Sequence, residues 1–290
     1  MTTTPVADLT HSVSYDPIYF PQLADGGGYT TSLLLLNTSN WTESGTLQIL
    51  DDNGAPLVVN QVGGTADSSF RYSIPSGGAF RFQTDGFPAA TNTGWVRLTP
   101  DLLNPAPVGS GVFGYNPGSI LVSESGIPAT TSTTHARIYV DLSKMHNTGL
   151  AIANVGTMAA MITLRTYQTD GTTGVGSSQG PLRLAAGGHD AKFANQFISD
   201  LPDGFTGVLD ISSTSLFAAL TLRSLVNERN DFLMTTFPVV DATRTAPSPI
   251  IFPQIVDGGG YITEFILISA GQSANMTLTY YDENGAVTAY

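Results

Sequence analysis

The stretch FPQLADGGGYTT, beginning at Phe20, returns as FPQIVDGGGYIT, beginning at Phe252, 232 residues further on. LDDNGA (50–55) returns as YDENGA (281–286), shifted by 231. Sequence that recurs in frame calls for recurring local structure, so the spacing of copies sets the size of the folding unit. A weaker copy lies between these two. LLLLNTSNWTESGTLQILDDNG aligns with LAIANVGTMAAMITLRTYQTDG, so that Asn37 meets Asn154 and Gly54 meets Gly171, each 117 residues on. IPSGGAFRF (74–82) aligns with LAAGGHDAKF (184–193), and TGWVRL (93–98) with TGVLDI (206–211). The unit is therefore about 115 residues long, arranged A–B–A, with the two A copies more alike.

The start of the chain fits the same frame. TTPVADLT (3–10) resembles TFPVVDAT (236–243), the end of unit B. The expected organisation is 1–13 as the last strand of a preceding unit or an N-terminal arm, 14–130 as unit A, 131–245 as unit B, and 246–290 as an incomplete second A. Two readings of this frame stay open. The chain is a window on a longer array, or it is a self-complementing filament subunit whose N-terminal strand completes a neighbour by β-strand addition. Against the second, the last unit lacks everything corresponding to 58–130, more than one donated strand replaces.

Within a unit the period is that of strands. TLQIL, FRYSI and FRFQT alternate apolar and polar residues, and turn chemistry separates them: Asp52-Asn53-Gly54, Ser76-Gly77-Gly78 and Asn116-Pro117-Gly118. About eight strands per unit with this spacing predict an all-β chain of tandem antiparallel β-sandwiches. SLLLLN and LAIAN are apolar at nearly every position, which predicts strands buried on both faces or placed at an interface. Helical periodicity is confined to 189–201, where one or two turns are expected; 131–135 and 241–250 read as linkers.

The run FPQ-x2-DGGGY-x-T, an apolar strand, DxNG and a Gly-Trp or Gly-Val strand resembles the tandem Ig-like or fibronectin-III-like modules of large secreted bacterial surface proteins. That resemblance implies an extracellular or cell-surface protein serving as spacer, adhesive stalk or fibre module. It also implies self-association or contacts with neighbouring repeats, or work as an accessory module for carbohydrate or calcium.

Composition narrows the partners. The net charge is -12 with only 11 Lys+Arg, which repels phosphate backbones and argues against nucleic acid. No apolar run approaches the roughly 20 residues of a membrane-spanning helix, so membrane insertion is not expected. The absence of cysteine removes thiolate metal sites, disulfides and Cys nucleophiles.

Catalytic motifs are lacking, and the chain reads as non-enzymatic. His189 beside Asp190 is the nearest approach to a Ser-His-Asp constellation, and Gly187-Gly188 before it favours an exposed turn. No cofactor is implied. Calcium is the one metal the acidic turns suggest, through Asp25, Asp51, Asp52 and Asp257. Trp41, in the polar loop TSNWTES, is the candidate platform for a glycan; Trp95, inside an alternating strand, reads as core. The triple glycine is expected to supply positive φ or to let another backbone come close, that of a neighbouring module among the choices, with Asp25 and Asp257 accepting backbone N–H bonds.

Overall fold

A computed structural model describes residues 14–178, 180–245, 248–270 and 275–288. The expected strand at 1–13 lies outside these residues. The fold is all-β, built of small antiparallel sheets packed as sandwiches.

The first sandwich contains β1 (Ile18–Asp25), β2 (Tyr29–Leu36), β3 (Glu43–Asp51), β4 (Ser69–Ile74), β5 (Ala79–Gln83), β6 (Asn92–Pro100), β7 (Val108–Tyr115) and β8 (Ser123–Pro128). One sheet has the order β1-β6-β3-β4 and the other β8-β7-β2-β5. Alternation decides which side chains face inward. Leu47 and Ile49 of β3, Phe70, Tyr72 and Ile74 of β4, and Leu33 and Leu35 of β2 meet in one buried cluster.

The second sandwich contains β9 (Thr133–Asp141), β10 (His146–Asn154), β11 (Ala160–Tyr167), β12 (Leu182–Leu184), β13 (His189–Phe193), the single turn α1 (Ala194–Phe197), β14 (Thr206–Val226) and β15 (Phe232–Phe237). The first half of β14 pairs with β9 and β11, and β11 pairs with β12. The second half of β14 pairs with β10 and β15, and β10 pairs with β13. The strand orders are those of the first sandwich, with one difference. β14 runs through both sheets as a single strand of 21 residues, whereas β6 and β7 are separated by the loop 101–107.

Two local expectations need correction. The stretch 131–135 is not a free linker, because β9 begins at Thr133 and pairs with β14. Within 189–201 only α1 is helical. The residues before it form β13, since pairing to β10 satisfies their backbone groups better than one isolated helical turn would.

The β1–β2 loop shows what the triple glycine does. Gly26, Gly27 and Gly28 all have positive φ, and Gly26 exchanges two backbone hydrogen bonds with Tyr29 at 3.0 and 2.9 Å. A Cβ on Gly26 would lie 2.5 Å from the carbonyl oxygens of Pro88 and Ala90, and one on Gly27 would lie 2.2 Å from the Thr91 hydroxyl. The close backbone belongs to the same sandwich rather than to a neighbour. Gly258, Gly259 and Gly260 repeat the same three φ values, 91, 60 and 90 against 86, 59 and 92, yet nothing approaches them within 4 Å.

A threonine closes this hairpin wherever it recurs. The hydroxyl of Thr31 donates to Ala24 O at 2.8 Å and accepts from Ala24 N at 3.1 Å. Thr263 does the same to Val256 at 2.7 and 3.0 Å, and Thr148 to Asp141 at 3.4 and 2.9 Å. The second sandwich closes its loop without the triple glycine, using Lys144 at φ 54 and a His146 N–H donating to Ser143 O. The last segment keeps the hairpin geometry and adds a short ladder of Tyr280–Tyr281 with Val287–Thr288.

Candidate functional site

The residues with the most distinctive chemistry lie where the two sandwiches meet. Alternation in β6 turns Val96 and Leu98 inward, so Trp95 and Arg97 face outward. Trp95 is nonetheless fully buried, because Tyr19, Leu50, Ala153, Val155 and Ala218 enclose it. Its indole N–H donates to Gly187 O at 2.8 Å. The guanidinium of Arg97 lies 5.2 Å from the Trp95 ring centroid and donates to Val155 O at 3.5 Å. Trp95 is thus buried between two sandwiches and is no part of its own sandwich's core.

LAIAN now has its explanation. Leu150 and Ile152 point into the second core, while Ala151 and Ala153 point at the first sandwich. Small alanines let the facing sheet, with its bulky Trp95, come close. Ala151 and Leu220 are continuous with the apolar cluster of the first sandwich.

A histidine–carboxylate pair stitches the same junction. His189 Nδ1 is 2.8 Å from Asp52 Oδ1, and the His189 N–H donates to Asp52 O at 3.0 Å. The Thr93 hydroxyl holds the other Asp52 oxygen at 3.0 Å. The His189 hydrogen bond keeps the Asp52 carboxyl below its usual pKa, against the opposing effect of burial. His189 is not in an exposed turn, as its glycines suggested; its side chain is wholly buried, and Nε2 has no hydrogen-bond partner. Asp190, its sequence neighbour, pairs instead with Lys192 at 2.7 Å. The imidazole is closed off from solvent, while the Asp52 side chain is half exposed.

A second seam runs along two edge strands. The Ser125 and Thr236 hydroxyls are 2.9 Å apart, and the Met234 N–H donates to Ser123 Oγ at 3.0 Å. Tyr115 meets Phe232 edge-on at 6.2 Å. Between the seams is a cleft of about 350 Å³, lined by Tyr29, Phe113, Lys192, Phe193, Phe232 and Met234 among others. Its size is at the lower end of small-ligand pockets.

The four candidate metal carboxylates have separate local duties. Asp51 accepts the N–H groups of Asn53 and Ala55 at 2.9 and 2.8 Å, an Asx turn that Asp282 repeats with Asn284 and Ala286. Asp52 serves the junction. Asp25 is fully buried and accepts the Gly86 N–H at 2.9 Å, so it ties two loops rather than its own. Asp257 is exposed in the last segment. Among the described residues no group of three or more His, Asp or Glu side chains is placed to hold a metal ion. Trp41 is 55% exposed, and its carbonyl is pinned by Asn37 Nδ2 at 2.7 Å and Ser39 Oγ at 3.1 Å.

Burial pushes the Asp25 carboxyl up, opposed by hydrogen bonds from Thr84 and Gly86. An acid whose folded pKa is raised binds its proton more readily when folded. Its stabilising contribution is complete below the unfolded value, about 3.9, and is lost as pH rises through the folded value. Asp25→Asn keeps the acceptor for Gly86 and removes the titration. The melting-temperature difference between variant and wild type is therefore expected to favour the variant more at pH 8 than at pH 4. A difference that stays constant across that range would contradict the assignment.

Taken together, fold and junction define an all-β protein of stacked antiparallel sandwiches. Comparison of the chain with family models, with characterised proteins and with solved structures finds no match.

Proposed function

We propose that this chain is a non-enzymatic structural module of an extracellular or cell-surface protein, built from tandem Ig-like sandwiches of about 115 residues. The junction is the observation that carries this reading. Two bodies with the same strand order are locked by a buried tryptophan, a buried histidine paired with a half-exposed aspartate, and two apolar sheet faces. A locked junction holds two modules at fixed distance and angle, which is what a spacer or adhesive stalk needs and a jointed linker does not supply. A charged-residue fraction of only 12%, in a chain rich in serine, threonine and glycine, fits the same setting. Fractionation of the native cells with an antibody to the folded chain tests it. The protein is expected in the surface or medium fraction and accessible to added protease; a cytoplasmic, protease-protected pool would overturn the reading.

Trp41 favours a second reading, carbohydrate binding by an accessory module. It is an exposed indole on a loop whose backbone is held by two side chains, so little order is lost when a sugar ring stacks on it. A glycan array is expected to give hits that Trp41→Ala removes. An array without hits, or hits that survive the substitution, would eliminate this reading.

A further inference from the structure

The outer face of the β8-β7-β2-β5 sheet presents exposed apolar side chains beside the buried Ser110. Leu34 and Leu36 are 37% and 39% exposed, beside the partly exposed Val108 and Val112. Strand register identifies this face in the second sandwich. Leu34 pairs with Ser110 and Arg81 as Ala151 pairs with Leu220 and Ala191; Leu36 pairs with Val108 and Ala79 as Ala153 pairs with Ala218 and His189. These are the residues by which the second sandwich receives the first. The face that covers them carries Tyr19, Trp95 and Arg97.

The counterpart of that covering face in the second sandwich carries Arg137, Val208 and Asp210. Arg137 pairs with Asp210 as Tyr19 pairs with Arg97, and Val208 with Tyr167 as Trp95 with Leu50. Here the last segment is seated. Arg137 donates to Ser269 O at 3.3 Å. Ile266 and Ile268 are partly buried while Leu267 between them is exposed. In the aligned frame Ile266, Ile268 and Ser269 occupy the positions of Leu34, Leu36 and Asn37. The second sandwich therefore already holds, through Arg137, a segment of its own chain whose sequence copies the β2 stretch that bears Leu34 and Leu36.

We infer that the exposed Leu34–Leu36 face docks onto the Arg137–Val208–Asp210 face of a second copy of this chain, in place of that copy's own last segment. This deepens the proposed function and rests on its reading of the sandwiches as copies of one module. Each chain has one face of each kind, so the contact is heterologous and runs head to tail. The last segment competes for the acceptor face and sets how often it is free.

Sedimentation velocity of the full chain tests this. Wild type is expected to form faster-sedimenting species as concentration rises. Leu34→Asp/Leu36→Asp, at positions exposed in the monomer, stays monomeric. Ile266→Asp/Ile268→Asp weakens the competitor and moves the onset of association to about tenfold lower concentration, since apparent affinity scales with the fraction of competent acceptor. Because the chain has no native cysteine, mixed chains carrying Leu36→Cys and Arg165→Cys, the latter at the residue paired with Asp210 on the acceptor face, are expected to be joined by a flexible bis-maleimide. Monomers at every concentration for both wild type and the isoleucine variant, unchanged association in the leucine variant, or linking of Leu36→Cys chains to each other would each overturn the proposal. Such a failure leaves the module reading standing, because that reading is tested on a monomer by how the chain unfolds.

Discussion

Trp95→Ala is expected to destabilise the chain by about 3–5 kcal/mol, the range for truncating a fully buried tryptophan. The loss has a particular location. Trp95 touches its own core little; it fills the junction and satisfies Gly187 O. Denaturation followed by tryptophan-independent probes in each sandwich should show the two unfolding transitions moving apart as the coupling is lost. His189→Ala is expected to act in the same direction by a smaller amount, because it leaves Asp52 with its Thr93 bond. A Trp95→Ala chain as stable as wild type, with its transitions still coincident, would mean that the junction does not couple the sandwiches.

Gly26→Ala and Gly258→Ala change the same residue of the same motif and are expected to differ sharply. At Gly26 the new methyl would sit 2.5 Å from two carbonyl oxygens at a φ of 86. Backbone strain of about 1–3 kcal/mol then adds to an overpacking cost of about 1–3 kcal/mol. At Gly258 the φ is 91 and nothing lies within 4 Å, so only the backbone term applies. Urea denaturation of the two variants should separate them by roughly the overpacking term. Equal losses would show that the loop is strained by its φ values alone and that the approach of the 86–91 segment has no energetic weight.

Much of the fold was legible because strand alternation and turn chemistry are local. Leu47 and Ile49, or Phe70 and Tyr72, declare a buried face through spacing alone, and Asp51 and Asp282 both close the turn that DxNG suggests. The threonine of DGGGY-x-T was visible as a residue but not as a clasp, since its partner lies seven residues back across a hairpin. The junction was not legible from either unit. Asp52 and His189 are 137 positions apart, and neither segment read alone says that they meet. The signal lay in the differences between aligned copies: Trp95 against Val208, Ala151 and Ala153 against Leu34 and Leu36, His189 against Ala79. A shared scaffold explains what copies hold in common. What each copy touches explains where they diverge, and Trp95, which looked like core, is the clearest instance.

Pulling a single monomeric chain from both ends shows whether two like sandwiches are stacked as separate mechanical modules. Two principal unfolding events are expected, each releasing about 110–115 residues, or on the order of 350–400 Å of contour length. Trp95→Ala should lower the force of the first event and leave both lengths unchanged. A single event releasing the whole chain, or increments that do not divide near residue 130, would contradict it.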